Sequence, residues 1–305
     1  MPAFRSLTAV ACLLLPACFE PEPPPGIEGD PPDSGDTGTE VTPKPTDSGC
    51  TDVCYDLGNA QPYNLFARYD YVGTYTDIEG KAAAGQTFEM EGFSVCLLDP
   101  GANCVVGRQG LTLNNGQLYG DAHYEYGTAT VGADVNFYNG GSASQATTLD
   151  WASTWSDLQT TNASLAALTP SATATTGGDI LFSGSDPALN VFEVRATALA
   201  SAHYMSVTAP AGSTVIINVT GTAATLSGFA IHLNGVSSSD VLWNFRYART
   251  IELEGIGFEG SILAPYADLT FNNGQMNGTA AVRNASGNGQ YNLSLFAGEA
   301  CECVP

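Results

Sequence analysis

Cysteine thiols are the side chains of this sequence with the clearest chemistry. A thiol pairs into a disulfide, binds a metal as its thiolate or accepts a covalent group. The sequence has 305 residues and eight cysteines, of which Cys12 and Cys18 lie near the N-terminus. The other six form three closely spaced pairs: Cys50 with Cys54, Cys96 with Cys104, and Cys301 with Cys303.

The N-terminus has the pattern of an export signal. Arg5 supplies a positive charge, and the apolar run over 7–14 is too short to cross a bilayer as a helix. The run leads into Leu15-Pro16-Ala17-Cys18, which resembles the bacterial lipobox. The resemblance implies cleavage between Ala17 and Cys18, and a diacylglycerol group on the Cys18 thiol. The alternative is an ordinary secretory peptide that leaves Cys18 free.

A lipid on Cys18 would hold the mature chain to a membrane, because each buried methylene contributes ~0.8 kcal/mol. Phe19 rather than Asp follows the cysteine, which favours the outer membrane. We therefore expect a lipoprotein, acylated with palmitate-type chains, that is anchored in the outer membrane and displayed at the cell surface. The periplasmic face is the alternative.

The composition after Cys18 divides the chain into three parts. Residues 18–49 are mostly Pro, Asp, Glu, Gly, Ser and Thr, which bury too little apolar surface to fold. The sequence thus predicts a signal peptide over 1–17, a disordered acidic tether over 18–49 and one domain over 50–305 with its core at 63–298. At ~3.1 Å per residue the tether reaches at most ~100 Å.

An exported chain with an even number of remaining cysteines favours disulfides. Cys96 and Cys104 flank a loop that they would close. The other four lie at the two ends of the domain, where we expect them to staple its termini together. The alternative is a metal site made from those four thiolates, although the spacings differ from those of common zinc knuckles.

Charge and motif content argue against several classes of function. The chain has 31 acidic and 9 basic residues and a net charge of -22, which disfavours nucleic acid as a partner. His123, His203 and His232 lack metal-site spacing, and no nucleophile elbow, P-loop or dinucleotide fingerprint occurs. Asp77 and Glu79 form a candidate carboxylate pair. We nevertheless predict a protein that is not an enzyme and that has no cofactor and no metal.

The elements that would position these residues are mainly short strands. Apolar runs alternate with Gly, Asn and Asp turns through most of the domain. One helix is expected at about 145–168, capped by Thr147 or Thr148 and stopped by Pro170. Its apolar stripe, expected to be core, comprises Trp151, Trp155, Leu158 and Leu165.

An internal repeat indicates how the strands are arranged. Residues 111–120 (LTLNNGQLYG) and 269–278 (LTFNNGQMNG) share seven of ten positions, and each copy predicts strand, Asn-Gly turn, strand and glycine. Two matching units far apart in sequence favour coils of a β-solenoid.

An ordered series of motifs begins at Tyr63-Asn64-Leu65-Phe66, continues through 77–85 and closes at 273–278. This series resembles the choice-of-anchor A domain of bacterial surface proteins. Lys81, Ala84 and Arg108 depart from the family pattern. The resemblance implies an all-β, irregular right-handed β-solenoid (β-helix) with one long flanking α-helix. Its structural motif positions in this chain are Asp77, Glu79, Gly80, Trp243, Asn244, Gly260, Pro265, Gly274 and Gly278.

The resemblance also implies a surface adhesion domain, whose partner would be an extracellular matrix protein, a glycan or a neighbouring cell surface. One alternative is a structural envelope or matrix protein that self-associates. Another is an ice- or polymer-binding protein, because the C-terminal half is similar to ice-binding β-helix proteins. The Thr-rich run 172–176 is the clearest short candidate for an ice-binding row.

Overall fold

The computed structural model describes Lys44–Pro45, 51–298 and 300–304, with side chains from Tyr55 to Gly298. The chain divides into two units, Met1–Thr42 and Pro43–Pro305, and the described residues all belong to the second. The predicted signal peptide, Cys18, Cys50 and almost all of the predicted tether lie outside them. Within the described part, no helix is long and apolar enough to cross a membrane.

Strands dominate the described residues, with two short 3-10 turns at Gly58–Ala60 and Ser238–Asp240 and two helices, α1 (Trp151–Leu165) and α2 (Ala196–Leu199). The strands of the first half are β1 (Lys44–Pro45), β2 (Thr51–Tyr55), β3 (Tyr63–Ala67), β4 (Tyr71–Ile78), β5 (Lys81–Ala84), β6 (Thr87–Val95), β7 (Gly101–Gly107), β8 (Gly110–Leu118), β9 (Gly120–Tyr124), β10 (Thr128–Val131), β11 (Val135–Phe137) and β12 (Ala143–Gln145). Those of the second half are β13 (Thr173–Thr175), β14 (Asp179–Ser183), β15 (Leu189–Arg195), β16 (Tyr204–Thr208), β17 (Thr214–Thr220), β18 (Ala223–Ser227), β19 (Ile231–Asn234), β20 (Val241–Phe245), β21 (Thr250–Glu254), β22 (Gly257–Glu259), β23 (Ser261–Asn272), β24 (Gln275–Asn277), β25 (Ala280–Gly287), β26 (Gln290–Asn292) and β27 (Ala300–Val304).

The strands wind into a solenoid, as the repeat predicted, and this solenoid has three faces. Each coil runs through face A, then face B, then face C, and strands of successive coils pair in parallel. Face A stacks β15, β17, β20, β23, β25, β3, β5, β7, β9 and β12, where β23 and β25 contribute their first halves. The inward side chains of all three faces fill a continuous apolar core.

The coils do not stack in the order of the chain. The last coil pairs with the first, because β25 lies beside β3 and Ala281 is opposite Phe66. The chain thus enters the stack at its middle and winds to one end at β12. After α1 it re-enters at the other end, at β14 and β15, and winds back to the middle. This order was not predicted from the sequence.

A column of left-handed residues turns the chain from face B to face C. Its members have positive φ and occupy equivalent corners in six coils, with the coil of β25 as an interruption: Gly228, Gly255, Asn273, Tyr75, Gly92 and Asn115. Asn115 (φ 50°) and Asn273 (φ 53°) are the Asn-Gly positions of the two repeat copies. The repeat therefore marks equivalent coil corners rather than hairpins, since Asn tolerates this conformation better than most residues.

Helix α1 is shorter than predicted. It begins after Asp150, whose side chain accepts a hydrogen bond of 3.0 Å from the Ser153 N–H and caps the helix, so the predicted Thr147 or Thr148 cap is wrong. It ends at Leu165, five residues before Pro170. The predicted apolar stripe is buried throughout.

Face A is buried on both sides because α1 lies on its outer surface. Phe66 stacks on Trp151 with ring centroids 5.4 Å apart. Leu242, Leu263 and Ala281 extend this second apolar cluster along the face. Burial on both sides explains why the face A strands are continuous apolar runs rather than alternating ones.

Both ends of the domain meet in one antiparallel pair. Strand β2 pairs with β27, and the register sets Cys54 opposite Cys301 and Asp52 opposite Cys303. The predicted stapling of the termini by cysteines stays a prediction, since Cys50 and these side chains lie outside the described ones. The structure contains a Cys96–Cys104 disulfide, with Cα atoms 5.7 Å apart, which closes the loop before β7.

Candidate binding surface

Faces B and C present their outer sides to solvent, whereas α1 covers face A except at the two ends of its stack, where Glu193 and Ser144 are exposed. Face B stacks β18, β21, the second halves of β23 and β25, the first halves of β4, β6 and β8, and β10. Its outward side chains form rows that run across the strands, and its inward side chains enter the core.

The middle row of face B is a line of short hydroxyl, carboxylate and apolar side chains. In stacking order it contains Thr225, Glu252, Thr270, Ser286, Val72, Glu89, Thr112 and Thr130. With about 4.8 Å between neighbouring strands, the row spans roughly 34 Å. Thr112 and Thr270 are the matching threonines of the two repeat copies.

Face B carries negative charge and no positive charge on its outward rows. Glu252 and Glu89 lie in the middle row, and Glu254 and Glu91 lie two residues further along the same strands. All four are exposed. Carboxylates spaced along a hydroxyl row favour a cationic or polyhydroxylated partner and repel anionic ones.

A hydrogen-bonded ladder stiffens the edge of face B next to face A. Asn284 Oδ1 accepts the Asp70 N–H at 3.0 Å, and Asp70 Oδ1 accepts the Thr87 hydroxyl at 2.7 Å. Asp268 accepts hydrogen bonds from Asn284 and Arg283. Partial burial acts to raise the pKa of Asp268, but these two donors outweigh it and hold that pKa below its usual value.

Face C differs because a line of its half-buried polar groups is held by hydrogen bonds within the fold. Asn292 donates to Asn277 Oδ1 and Asn277 donates to Glu259 Oε1, each at 2.8 Å. Beyond Asn292, the Glu79 carboxylate accepts the Leu293 N–H at 2.7 Å. These groups are occupied within the fold, so face B is the better candidate for contact with a partner.

The predicted candidates for chemistry are not assembled into a reactive centre. Asp77 is exposed on face C, while the Glu79 carboxylate accepts a hydrogen bond from a backbone amide, so the two carboxylates have different surroundings. His123 contacts the Ser144 hydroxyl at 3.1 Å, and His232 stacks on Tyr204. Among the described residues, no group of three His, Cys, Asp or Glu side chains is placed to hold a metal.

The motif residues of the predicted family lie at positions that shape the fold. Trp243 is fully buried, and its Nε1–H donates to the Glu259 carbonyl at 2.9 Å. Gly260 has φ +103° and lies against Val241, so a side chain there would be strained. Asn244 binds α1. The others lie at coil turns or close approaches: Gly80, Pro265, Gly274 and Gly278.

The middle row of face B was missed by sequence reasoning because its members are far apart in the chain. The run 172–176, predicted as a threonine row, instead contains β13, a strand antiparallel to β14 at the margin of the solenoid. The signal that could have found the row is the Thr112–Thr270 match in the internal repeat. In a parallel stack, residues at equivalent positions of different coils lie in the same row.

A family model described as "Putative Ice-binding-like adhesive domain" matches residues 56–293. A search of curated proteins found no significant match.

Solved structures similar to the chain include three ice-binding proteins. The protein of the Antarctic ascomycete Antarctomyces psychrotrophicus has TM-score 0.45 and 15% identity over 78% of this chain and 98% of its own. A domain of ice-binding protein 1 of Shewanella frigidimarina has TM-score 0.42 and 12% identity over 79% and 99%. The antifreeze protein LeIBP of an Arctic yeast has TM-score 0.38 and 12% identity over 78% and 93%. Scores and identities this low say nothing about what the present chain binds.

The family match covers most of the three-faced solenoid, including all of face B and α1. The chain therefore belongs to the ice-binding-like adhesive domain family.

Proposed function

We propose that this protein is a lipid-anchored adhesion protein of the outer membrane, and that face B of its solenoid is the surface that contacts the partner. The module binds and does not catalyse. The observation that carries the proposal is the middle row of face B, in which eight coils present exposed or half-exposed side chains in one unbroken parallel register.

The parallel stack suits an adhesive surface for a physical reason. Backbone pairing fixes the side chains of face B, so little conformational entropy is lost when the row binds an extended partner. The row also presents hydroxyl and carboxylate groups together, which suits a matrix protein or a glycan with many polar groups. The four exposed glutamates of face B, Glu252, Glu89, Glu254 and Glu91, have no ion-pair partner among the described residues.

A binding assay with matched variants tests the adhesive surface. Thr112→Tyr with Thr270→Tyr places two bulky rings on the middle row, whereas Gln117→Tyr with Gln275→Tyr places the same rings on exposed positions of face C. Cells that display the face B variant should retain less matrix protein or glycan in a pull-down than cells that display the face C variant. Equal retention by the two variants would contradict the assignment to face B.

The proposal of a lipid anchor is based on the lipobox-like residues around Cys18 and needs its own test. Metabolic labelling with a palmitate analogue should modify the parent chain and leave a Cys18→Ala variant unlabelled. Protease treatment of intact cells should then remove the domain from the parent. Protection from the protease would move the protein to the periplasmic face, and labelling of Cys18→Ala would refute the anchor.

Ice binding is the second candidate, favoured by Thr225, Thr270, Thr112 and Thr130 on the middle row. Glu252 and Glu89 interrupt that row with strongly hydrated charges, which is why we place adhesion first. A thermal-hysteresis measurement decides between them. Thermal hysteresis that disappears in the Thr112→Tyr with Thr270→Tyr variant would replace adhesion with ice binding.

Self-association of the purified protein in sedimentation, without a foreign partner, would favour the structural envelope role.

A further inference from the structure

Arginine is confined to one corner of the solenoid. The chain has nine Lys and Arg residues, and Arg5 and Lys44 precede the described side chains, which leaves seven. Six of the seven lie at the corner where the chain leaves face A. Each is either the last residue of a face A strand or lies between that strand and the next strand segment of face B. We call these six the arginine ridge: Arg195, Arg246, Arg249, Arg283, Arg68 and Arg108. The seventh, Lys81, begins β5 at the opposite edge of face A.

We propose that the arginine ridge binds an anionic polysaccharide. This site is separate from face B and does not depend on its function. In stacking order the ridge runs from the coil of β15 to the coil of β7, seven strand steps or roughly 34 Å. A protein with net charge -22 thus presents one line of positive charge, and its two neighbouring surfaces are acidic or covered by α1.

Aromatic rings accompany the guanidinium groups. Arg246 lies 5.4 Å from the Tyr247 ring centroid, and Arg249 lies 5.4 Å from that of Tyr266. Arg108 lies 5.5 Å from that of Tyr126. Every cation–π pair within the described residues belongs to the ridge.

Four ridge arginines have no ion-pair partner among the described residues. Arg108 is paired with Glu125 at 3.0 Å, and Arg283 is paired with Asp268. The four without carboxylate partners are Arg68, Arg195, Arg246 and Arg249. A guanidinium without an internal carboxylate retains its capacity for bidentate bonding to a carboxylate or sulfate of a ligand.

A cleft of about 370 Å³ lies where the ridge meets α1. Arg68 lines it, with its guanidinium 5.2 Å from the Trp155 ring. Trp155 also lines the cleft and is only 5% exposed, yet its Nε1–H has no acceptor among the described residues. Gln86 and Gln159 add amide donors and acceptors. The cleft therefore offers a cation, an aromatic face and uncommitted donors, a combination suited to one acidic sugar residue.

The chemistry favours a polysaccharide over a nucleic acid. Aromatic faces pack on the apolar faces of sugar rings, and amides bond to hydroxyls. Duplex DNA carries one charge per ≈ 1.7 Å, so it would bring many phosphates close to the carboxylates of face B. An acidic polysaccharide carries sparser charges, which match arginines that are separated by one or more strand steps.

The test uses the full chain displayed on cells and measures binding of labelled polygalacturonate, heparin, neutral dextran and duplex DNA. Polygalacturonate supplies carboxylates and heparin supplies sulfates, so their ranking identifies the anion. We expect at least one of them to bind and dextran to fail. Arg68→Gln with Arg246→Gln and Arg249→Gln should weaken binding by about tenfold or more. Lys81→Gln, which removes the one Lys or Arg off the ridge among the described side chains, should change it by less than about twofold.

Trp155→Phe keeps an aromatic ring in the cleft but removes the Nε1–H together with the five-membered ring of the indole, so it should weaken binding. A thermal melt of this variant checks that the chain stays folded, because Trp155 is buried. The Thr112→Tyr with Thr270→Tyr variant should bind the polyanion as the parent does, which separates this proposal from that for face B. The proposal is overturned if neither acidic polysaccharide binds, or if Lys81→Gln weakens binding as much as the triple variant. DNA binding that depends on the same arginines would overturn the choice of polysaccharide.

Discussion

The side-chain amide of Asn162 in α1 donates a hydrogen bond of 2.6 Å to Asn244 Oδ1 on face A. Asn244 in turn donates to Asn162 O at 3.1 Å and to Asn218 Oδ1 at 2.8 Å. Asn218 donates to Leu165 O, the last residue of α1, at 2.8 Å. Three buried amides therefore fix the C-terminal half of α1 to the solenoid.

Replacing Asn244 with Leu should destabilise the protein by about 3 kcal/mol, because it leaves buried partners unsatisfied in both Asn162 and Asn218. Urea denaturation of the purified protein measures the loss. Asn136→Leu is the control, since Asn136 is exposed on face C. A loss below about 1 kcal/mol for Asn244→Leu would mean that the apolar contacts of α1 hold the helix without the amides.

The stability should fall steeply in alkali because buried tyrosines resist ionisation. Burial raises the pKa of Tyr63 from 10.0 to about 12. Burial, and then the nearby Tyr291, raise the pKa of Tyr71 well above 10.0. The unfolded chain loses these protons near pH 10 while the folded chain keeps them. Each such tyrosine thus lowers the free energy of unfolding by about 1.4 kcal/mol per pH unit above that pH.

Tyr71→Phe tests this pH dependence. The Tyr71 hydroxyl is buried and has no hydrogen-bond partner among the described residues, so its removal should leave stability at neutral pH almost unchanged. Denaturation midpoints measured from pH 8 to pH 12 should then decline less steeply than in the parent. An unchanged slope would show that other groups cause the alkaline unfolding.

Tyr75→Asn should keep or raise the stability. Tyr75 has φ 52° in the corner column, is 74% exposed and lies over Gly92. Asn costs less in the left-handed region, where most residues lose roughly 1–2 kcal/mol. Val72→Asn, at an exposed strand position of the same coil, is the control and should destabilise. Thermal melts compare the two, and a clear loss for Tyr75→Asn would show that its ring packing outweighs the backbone strain.

The pairing of β2 with β27 predicts a disulfide between Cys54 and Cys301, which lie opposite one another in the register. Peptide mapping under non-reducing conditions should recover this pair along with Cys96–Cys104. Reduction should lower the melting temperature, because the link ties the two ends of the domain. Free thiols with bound zinc would instead support the metal site that the same cysteines could form.

Much of the fold could be predicted from local patterns. The stripe over Trp151–Leu165 predicted the buried side of α1, because it depends on residues close in sequence. The repeat copies at Asn115 and Asn273 predicted coils, because each copy is a short unit that can be recognised without knowing its partners. The cap at Asp150 was missed because several polar residues precede the helix and only packing selects one. The arrangement of face B was not predicted, since only the stacking order places Thr112 and Thr270 in one row, with three other coils between them.

That order also limits when the solenoid can be completed. The coil that begins with β3 has its partner strand in β25, more than two hundred residues later in the chain. Until that partner is synthesised, the first four coils have an unpaired strand edge at the side where the chain began. An unpaired edge recruits other strands, so we expect a chain truncated before β25 to aggregate. Completion of the fold therefore requires β25, whichever half collapses first.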